Sequence, residues 1–460
     1  MANRSHAVVL GASLAGLTTA RALSNHFQEV TVVERDERPP VGEPRKGVPQ
    51  GRHAHGLLAS GYRALDAYYP GMFDEIVEHG GVRGDVTEDF LWYQYGAWKR
   101  RINSGLGGIV MSRPLLESMI TKHTAAFPQV TLLDGHDADQ PEFSAGRVSG
   151  LRVTNRATGE SQHLDADLIV DATGRGSQAP KWLQEWGSGD VEETEVKVDV
   201  GYATAIFEKR EGDLYGSNGA IIGGTIPEAT RFAAVIGMEG ERWMVTLAGA
   251  VGDYPPTDLE GWRAYAEDLP TRDVQDMLRD REPIGDIVAY RYPANRRRHY
   301  DKMKRFPDGF LVIGDAICSF NPVYGQGMSV AATEAKALDD CLAAGDSDLW
   351  KRFFKRAHAI TESPWVIATG EDMKYPQVEG KRPPGFKLIN KYMERVHKAA
   401  TKDPVVLKQF FLVANLLAPP TSVMSPRIAW RVLLGGRGEA QRLPLKAGTK
   451  VEAREPAGVR

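Results

Sequence analysis

The segment VIGDAICSFNPVYGQGM, Val312 to Met328, constrains this chain more than any other stretch. An apolar run, Phe310 to Ile313, ends on Gly314 and Asp315, which reads as the end of a strand presenting one short carboxylate. A loop follows, Pro322 to Gly327, in which Gly325 and Gly327 lack the Cβ atoms that would hold a planar ring at a distance. From Ser329 onward the sequence VAATEAKALDDCL predicts a helix, so its first N–H groups point into the same space. Those groups and the positive end of the helix dipole favour a developing anion. Pro322, Gly325, Gly327 and Met328 are therefore the candidates for a loop that stabilises negative charge on a bound ring. Asp315 is the candidate acceptor for ribose-like hydroxyls. A crossover whose glycines only turn the chain is the alternative.

The N-terminus carries a second signal. His6 to Leu10 reads as a short strand, GASLAG (Gly11 to Gly16) as a turn opening a helix, and Glu29 to Val33 as a second strand ending on Glu34. This is the dinucleotide-binding arrangement, with an acidic residue about 20 positions on. Gly11 and Gly16 allow the tight turn and close helix packing, and the helix start at Leu14 and Ala15 takes a pyrophosphate. Ser13 stands where the pattern has its second glycine, and its hydroxyl can itself bond a phosphate. Glu34, followed by Arg35, is placed for the adenosine ribose and favours a bare ribose, as in FAD or NAD, over a 2′-phosphate.

A third strand, DLIVDA (Asp167 to Ala172), runs into Thr173, Gly174, Arg175 and Gly176. The three motifs, in this order, resemble the single-chain FAD-dependent monooxygenases of the para-hydroxybenzoate hydroxylase fold, over roughly residues 1–345. The resemblance implies an α/β fold: a Rossmann-like FAD-binding domain (1–80, 105–180 and 290–345), an inserted mixed β-sheet substrate domain (81–104 and 181–289), and a helical C-terminal region (346–460). It places Asp171 and Gly174 beside both FAD and the nicotinamide donor; a strand end held by a buried Asp171 is the alternative. It runs RKGVPQGRHAH, Arg45 to His55, past the flavin ring and ribityl chain, where Arg45, Gln50 and Arg52 bond ribityl or pyrophosphate oxygens. Arg113, at the start of a helix with Pro114 beside it, matches the family arginine that contacts FAD. His53 and His55 are either proton donors or structural hydrogen-bonding residues.

The combination RKGVPQGRHAHGLL, SRPLLE, DATGRGS and FNPVYGQGMS looks most like the bacterial FAD epoxidases of polyether biosynthesis and their squalene-epoxidase-like relatives. That implies reduction of FAD by NADPH or NADH, addition of dioxygen at flavin C4a, and transfer of one oxygen atom from the hydroperoxide. The acceptor is a carbon–carbon double bond of an apolar, polyketide- or terpenoid-like substrate. An aromatic hydroxylase of the same family, a geranylgeranyl-reductase-like enzyme and a flavin-binding redox sensor are the competing readings. Flavin halogenases carry a Trp-x-Trp motif that none of the nine tryptophans here forms. Epoxidation needs no protein base, and no residue stands out as a phenol-activating base; Tyr93, Tyr95 and the two histidines are only candidates.

The substrate wall is read from alternation. In Phe90 to Trp98, the residues Trp92, Gln94 and Trp98 are expected on one face. RFAAVIG and RWMVTLAGA read as a hairpin about Glu239–Gly240, whose second strand offers Thr246, Ala248 and Ala250 as a small-residue face. From Leu349 the chain reads as helices broken at Pro364, Pro383–Pro384, Pro404 and Pro419–Pro420; the apolar stretch Pro404 to Ala418 is expected to cover the pocket, with an oligomer contact or a membrane contact as alternatives.

Charge and cysteine content narrow the rest. A net charge of −3 and a pI near 6.4 offer no field for nucleic acid or anionic membrane. Cys318 and Cys341 give neither metal spacing nor a disulfide framework, so no metal is expected and a reducing cytoplasm fits. No apolar run reaches the ~18–20 residues of a spanning helix. A monomer or homodimer is expected, and a separate flavin reductase is an open alternative source of electrons.

Overall fold

The computed structural model describes residues 4–440. Five short strands form a parallel sheet in the order Phe310–Val312, Leu168–Asp171, His6–Leu10, Glu29–Val33 and Val130–Leu133. Leu168–Asp171 and Phe310–Val312 are buried at every residue, as expected of parallel strands covered on both faces. Leu10 lies opposite both Asp171 and Val33, and Asp171 opposite Val312. The three motif turns therefore leave the sheet side by side at its carboxyl edge, the place where α/β sheets bind ligands.

A second, mixed sheet has eight strands: Cys318–Ser319, Val288–Arg298, Glu193–Glu208, Arg242–Gly249, Arg231–Met238, Gly219–Gly223, Leu91–Gln94 and Ala97–Trp98. The expected hairpin is present, with Met238 opposite Arg242. One face of this sheet packs Phe207, Trp243 and Leu247 against Trp262 and Tyr265 of the helix Leu259–Ala266. The other face is turned toward the parallel sheet and the C-terminal helices.

The expected boundary at residue 290 falls inside a strand. Val288–Arg298 pairs with Glu193–Glu208 along most of its length, and Cys318–Ser319 adds an edge to the same sheet. At the end of that strand, Arg297 and Arg298 are buried. Their charges are met by Glu362 at 2.7 Å and Glu193 at 2.8 Å.

The C-terminal helices are Leu349–Asp372, Phe386–Ala399, Pro404–Ala414 and Pro426–Leu433; the rest of the expected helical region, residues 441–460, lies outside the described residues. Pro364 does not break the first of these helices. Packing of its buried face outweighs the roughly 3 kcal/mol that an internal proline costs. The other expected breaks do separate helices. Among the described residues, no helix is long and apolar enough to cross a membrane.

Candidate active site

The N-terminal turn is built for close approach. A Cβ on Gly16 would lie 1.8 Å from the Gly11 carbonyl oxygen, so only glycine lets the helix Leu14–Leu23 start against the strand end. Leu14 and Ala15 are buried beneath the turn. Ser13 sits at the N-cap with a side chain that makes no capping bond. The Glu34 carboxylate accepts from the Ala12 amide (2.8 Å), the Asp36 amide (3.1 Å) and Arg45 Nη1 (2.8 Å). A cavity of about 160 Å³ opens here, lined by Ala12, Glu34, Arg45, Pro114, Glu117 and Ser118.

Arg45 also lies 3.7 Å from Glu117, at the Glu34 end of the cleft. Arg35 is exposed, with Asp36 as its neighbour at 4.0 Å; Arg52 is exposed and Gln50 half-buried.

Asp171 is a structural residue. Its Oδ1 accepts from the Thr173 amide (2.9 Å) and hydroxyl (2.6 Å), and its Oδ2 from the Ser177 hydroxyl (2.7 Å). The side chain is fully buried, as in the alternative of a strand end held by a buried Asp. Gly174, by contrast, faces Asp315: a Cβ there would meet only the Asp315 Cβ, at 3.8 Å. A Cβ on Gly327 would likewise meet only Asp315 Oδ1, at 3.6 Å. Gly174, Gly314–Asp315 and Gly327 thus outline a cradle with room for a planar group. Asp315 opens onto this cleft, yet enough protein surrounds it that desolvation pushes its carboxyl pKa up, against the pull of Arg113 and Arg175.

Arg113 begins the helix Arg113–Ala125, capped by Ser112, and donates to Glu117 at 2.9 Å and to His55 Nε2 at 2.9 Å. His55 Nδ1 bonds the His53 carbonyl at 2.8 Å. With Nε2 accepting and Nδ1 donating, His55 has both ring nitrogens in use and a structural role. Burial and the Arg113 charge lower its pKa to about 3.

The loop after Asp315 is held from a distance. Pro322–Tyr324 forms a helical turn, Gly325 adopts φ +66°, and the next helix begins at Gly327, two residues before the sequence suggested. Asn321 accepts from the Val323 amide (3.2 Å) and the Tyr202 hydroxyl (3.0 Å). Asp372, at the end of the helix Leu349–Asp372, accepts from Asn321 (3.0 Å), Tyr324 (2.8 Å) and Asn295 (2.6 Å). Desolvation raises the Asp372 pKa to about 6. Beneath the loop, Glu334 is fully buried and accepts from the Gly314 amide at 2.7 Å; burial lifts its pKa to about 8. Met328 is buried in the core beside it.

Cross-strand register defines the inner face of the large sheet, because directly paired residues share a face. One row runs Trp92, Ile221, Ala234, Thr246, Thr204; the next runs Gly223, Phe232, Ala248, Tyr202, Tyr290. Gln94, two residues from Trp92, belongs to this face. Trp98 does not. It pairs with Tyr93, rings 5.3 Å apart, and packs toward the Trp243–Trp262 side. The turn at Tyr95–Gly96, with φ of 55° and 79°, resets the alternation that sequence reading carried through it. Trp92 stacks edge-on against Phe411, 5.0 Å away, so the apolar helix Pro404–Ala414 does cover this part of the sheet. Thr246 accepts from the Ala54 amide (3.0 Å) and meets Thr204 (2.6 Å), which in turn meets His53 Nδ1 (2.7 Å).

Several residues at this site carry no signal in the sequence. Arg175 donates to the Ala294 carbonyl (2.6 Å) and the Ser319 hydroxyl (2.7 Å), joining the two sheets. Thr204, Asn295 and Asp372 lie in no motif; only their long-range partners reveal them. His299, Asp301 and His358 also converge. There Arg297 lies 2.9 Å from His358 Nδ1, so a guanidinium already takes the place of a cation.

A family model described as FAD binding domain matches residues 4–347. Protein Rv3254 of Mycobacterium tuberculosis is 30% identical, aligned over 99% of this chain and 98% of its own length. Kynurenine 3-monooxygenase of Salinispora tropica is 27% identical, over 74% of this chain and 73% of its own. Among solved structures, PqsL, a probable FAD-dependent monooxygenase from Pseudomonas aeruginosa, superposes with a TM-score of 0.58 and 18% identity over 80% of this chain and 97% of PqsL. At that identity the likeness concerns the fold alone.

Proposed function

The chain belongs to the FAD-binding-domain family, and on that premise we propose that it is an FAD-dependent monooxygenase that uses NADPH or NADH and dioxygen to epoxidise a carbon–carbon double bond of an apolar substrate. The carrying observation is the convergence of three motif turns and the Pro322–Met328 loop at one sheet edge, beneath an apolar sheet face. The residues suit FAD. Ser13 and the helix start at Leu14 would take the pyrophosphate, Glu34 the adenosine ribose, Asp315 a ribityl hydroxyl, and Gly174 and Gly327 would let the ring lie close. Two buried atoms in this region, His53 Nε2 and Gln326 Oε1, have no protein partner.

When bound and reduced, FAD supplies the activation of dioxygen. The protein's own contributions are different. The start of the helix Gly327–Ala343 would offer its free amides to negative charge on a bound ring. The helix Pro404–Ala414 closes over Trp92 and excludes water. Trp92, Ile221, Ala234, Phe232 and Ala248 form an apolar wall that orients a substrate. Three groups on that face are uncharged at neutral pH: His53, and the phenols of Tyr202 and Tyr290, whose pKa values burial raises. An alkene needs no more than this.

Lys99 favours a second reading, hydroxylation of an aromatic ring. It is buried on the Trp92 side of the sheet, bonded to the His397 carbonyl at 2.8 Å, and desolvation lowers its pKa to about 7, in the range of a general base. The test is substrate-stimulated NAD(P)H oxidation across alkenes and phenols under labelled dioxygen. One labelled atom in an epoxide supports the proposal, and a labelled phenol supports the second reading. A product gaining two hydrogens and no label makes the protein a reductase; no stimulation by any compound makes it a sensor.

A further inference from the structure

His53 is 4% exposed, and its ring lies between the inner face of the large sheet and the cleft. The Tyr290 ring is 5.6 Å away, and Tyr290 is itself within electrostatic reach of Asp315, Arg113 and Arg175. His53 thus borders the space that the three motif turns enclose.

The hydrogen bonds around it run in one direction. The Ala54 amide can only donate, so Thr246 Oγ1 accepts from it. The Thr246 hydroxyl hydrogen then goes to Thr204 Oγ1, 2.6 Å away. The Thr204 hydrogen is left for His53 Nδ1, at 2.7 Å. Reversing the chain would strand the buried Thr246 hydrogen without an acceptor. Nδ1 is therefore an acceptor, and the hydrogen of the neutral ring sits on Nε2. Burial, reinforced by the Arg52 charge, lowers the pKa to about 4, so the ring stays neutral in ordinary buffers. Nε2 is buried and bonds nothing in the protein. A locked tautomer with an unanswered N–H at a ligand cleft is a donor set for something else.

We propose that His53 donates its Nε2–H to an acceptor atom of the bound flavin ring, and that Thr204 and Thr246 are positioning residues that fix the tautomer. The inference rests on the FAD reading above and adds a residue to it. In flavin terms the role is specific: a neutral donor strengthens its bond as the ring gains electron density, without adding a charge that would have to be desolvated.

Two measurements test it. In FAD-free protein labelled with nitrogen-15 histidine, and assigned with His53→Asn, the His53 Nε2 should resonate as a protonated nitrogen and Nδ1 as a bare one. Saturation with FAD should shift the Nε2 signal, and Thr204→Val should abolish the tautomer preference while Thr204→Ser keeps it. His53→Leu should move the visible absorption band of bound FAD and weaken FAD binding about 10-fold, the worth of one hydrogen bond of ~1.4 kcal/mol. A protonated Nδ1 in the free protein overturns the proposal. So does a His53 signal that FAD leaves unmoved although the protein binds FAD, an outcome that leaves the FAD reading intact. Failure to bind FAD at all overturns both.

Discussion

Two carboxyls only 19 residues apart in sequence, both at the strand end Phe310–Val312, do opposite work. Asp315 faces the cleft, and Asp315→Ala would remove the proposed charge-assisted acceptor for a ribityl hydroxyl. FAD affinity should fall by on the order of 1.5–3 kcal/mol, read by titration of flavin fluorescence, with the far-ultraviolet dichroism unchanged. Glu334 lies beneath the cleft and is held protonated, with the Gly314 amide on one oxygen. Its pKa is raised from 4.5 to about 8, so the stability it contributes is complete below pH 4.5 and is lost as pH climbs through about 8. Glu334→Gln keeps the acceptor and removes the ionisation. Urea unfolding of the FAD-free protein between pH 6 and 9 should show a decline in the parent that the variant lacks. The motif residues were legible because each acts within a few positions of its neighbours. Asp171 stayed open between two roles for the same reason: a motif gives position, and only the Thr173 and Ser177 hydroxyls reveal that its oxygens are occupied.

Elements were legible as far as their periodicity held. The strand–turn–helix–strand at the N-terminus and the hairpin about Glu239–Gly240 follow directly from local pattern. The alternation in Phe90–Trp98 failed at one turn, and every residue after that turn changed face. The strand Val288–Arg298 escaped because buried arginines mimic a surface until their acidic partners, more than 60 residues away, are known. The two tryptophans make the difference measurable. Trp92→Ala removes the contact with Phe411 and the bond from its indole N–H to the Val86 carbonyl. It should expose the C-terminal helices to limited proteolysis and weaken substrate binding, at a cost of roughly 3 kcal/mol or less in stability. Trp98→Ala should lower stability through the outer core and leave substrate affinity as it was.

At the scale of the molecule, the cleft lies between the two sheets, and the proposed cofactor would bridge them. FAD should be tight but not covalent, since neither buried cysteine nor any histidine forms an attachment motif. Acid or heat precipitation should leave a yellow supernatant, and FAD at about 100 times its Kd should add ~2.7 kcal/mol to the unfolding free energy. Asp372 carries a consequence of another kind. It joins the loop at Asn321 and Tyr324 to the helix Leu349–Asp372, and through Asn295 to the large sheet, so the cofactor's cradle and the substrate's wall share one set of hydrogen bonds. Sites joined in this way obey linkage. Whatever factor a substrate analogue imposes on the dissociation constant of FAD, FAD must impose the same factor on the dissociation constant of that analogue.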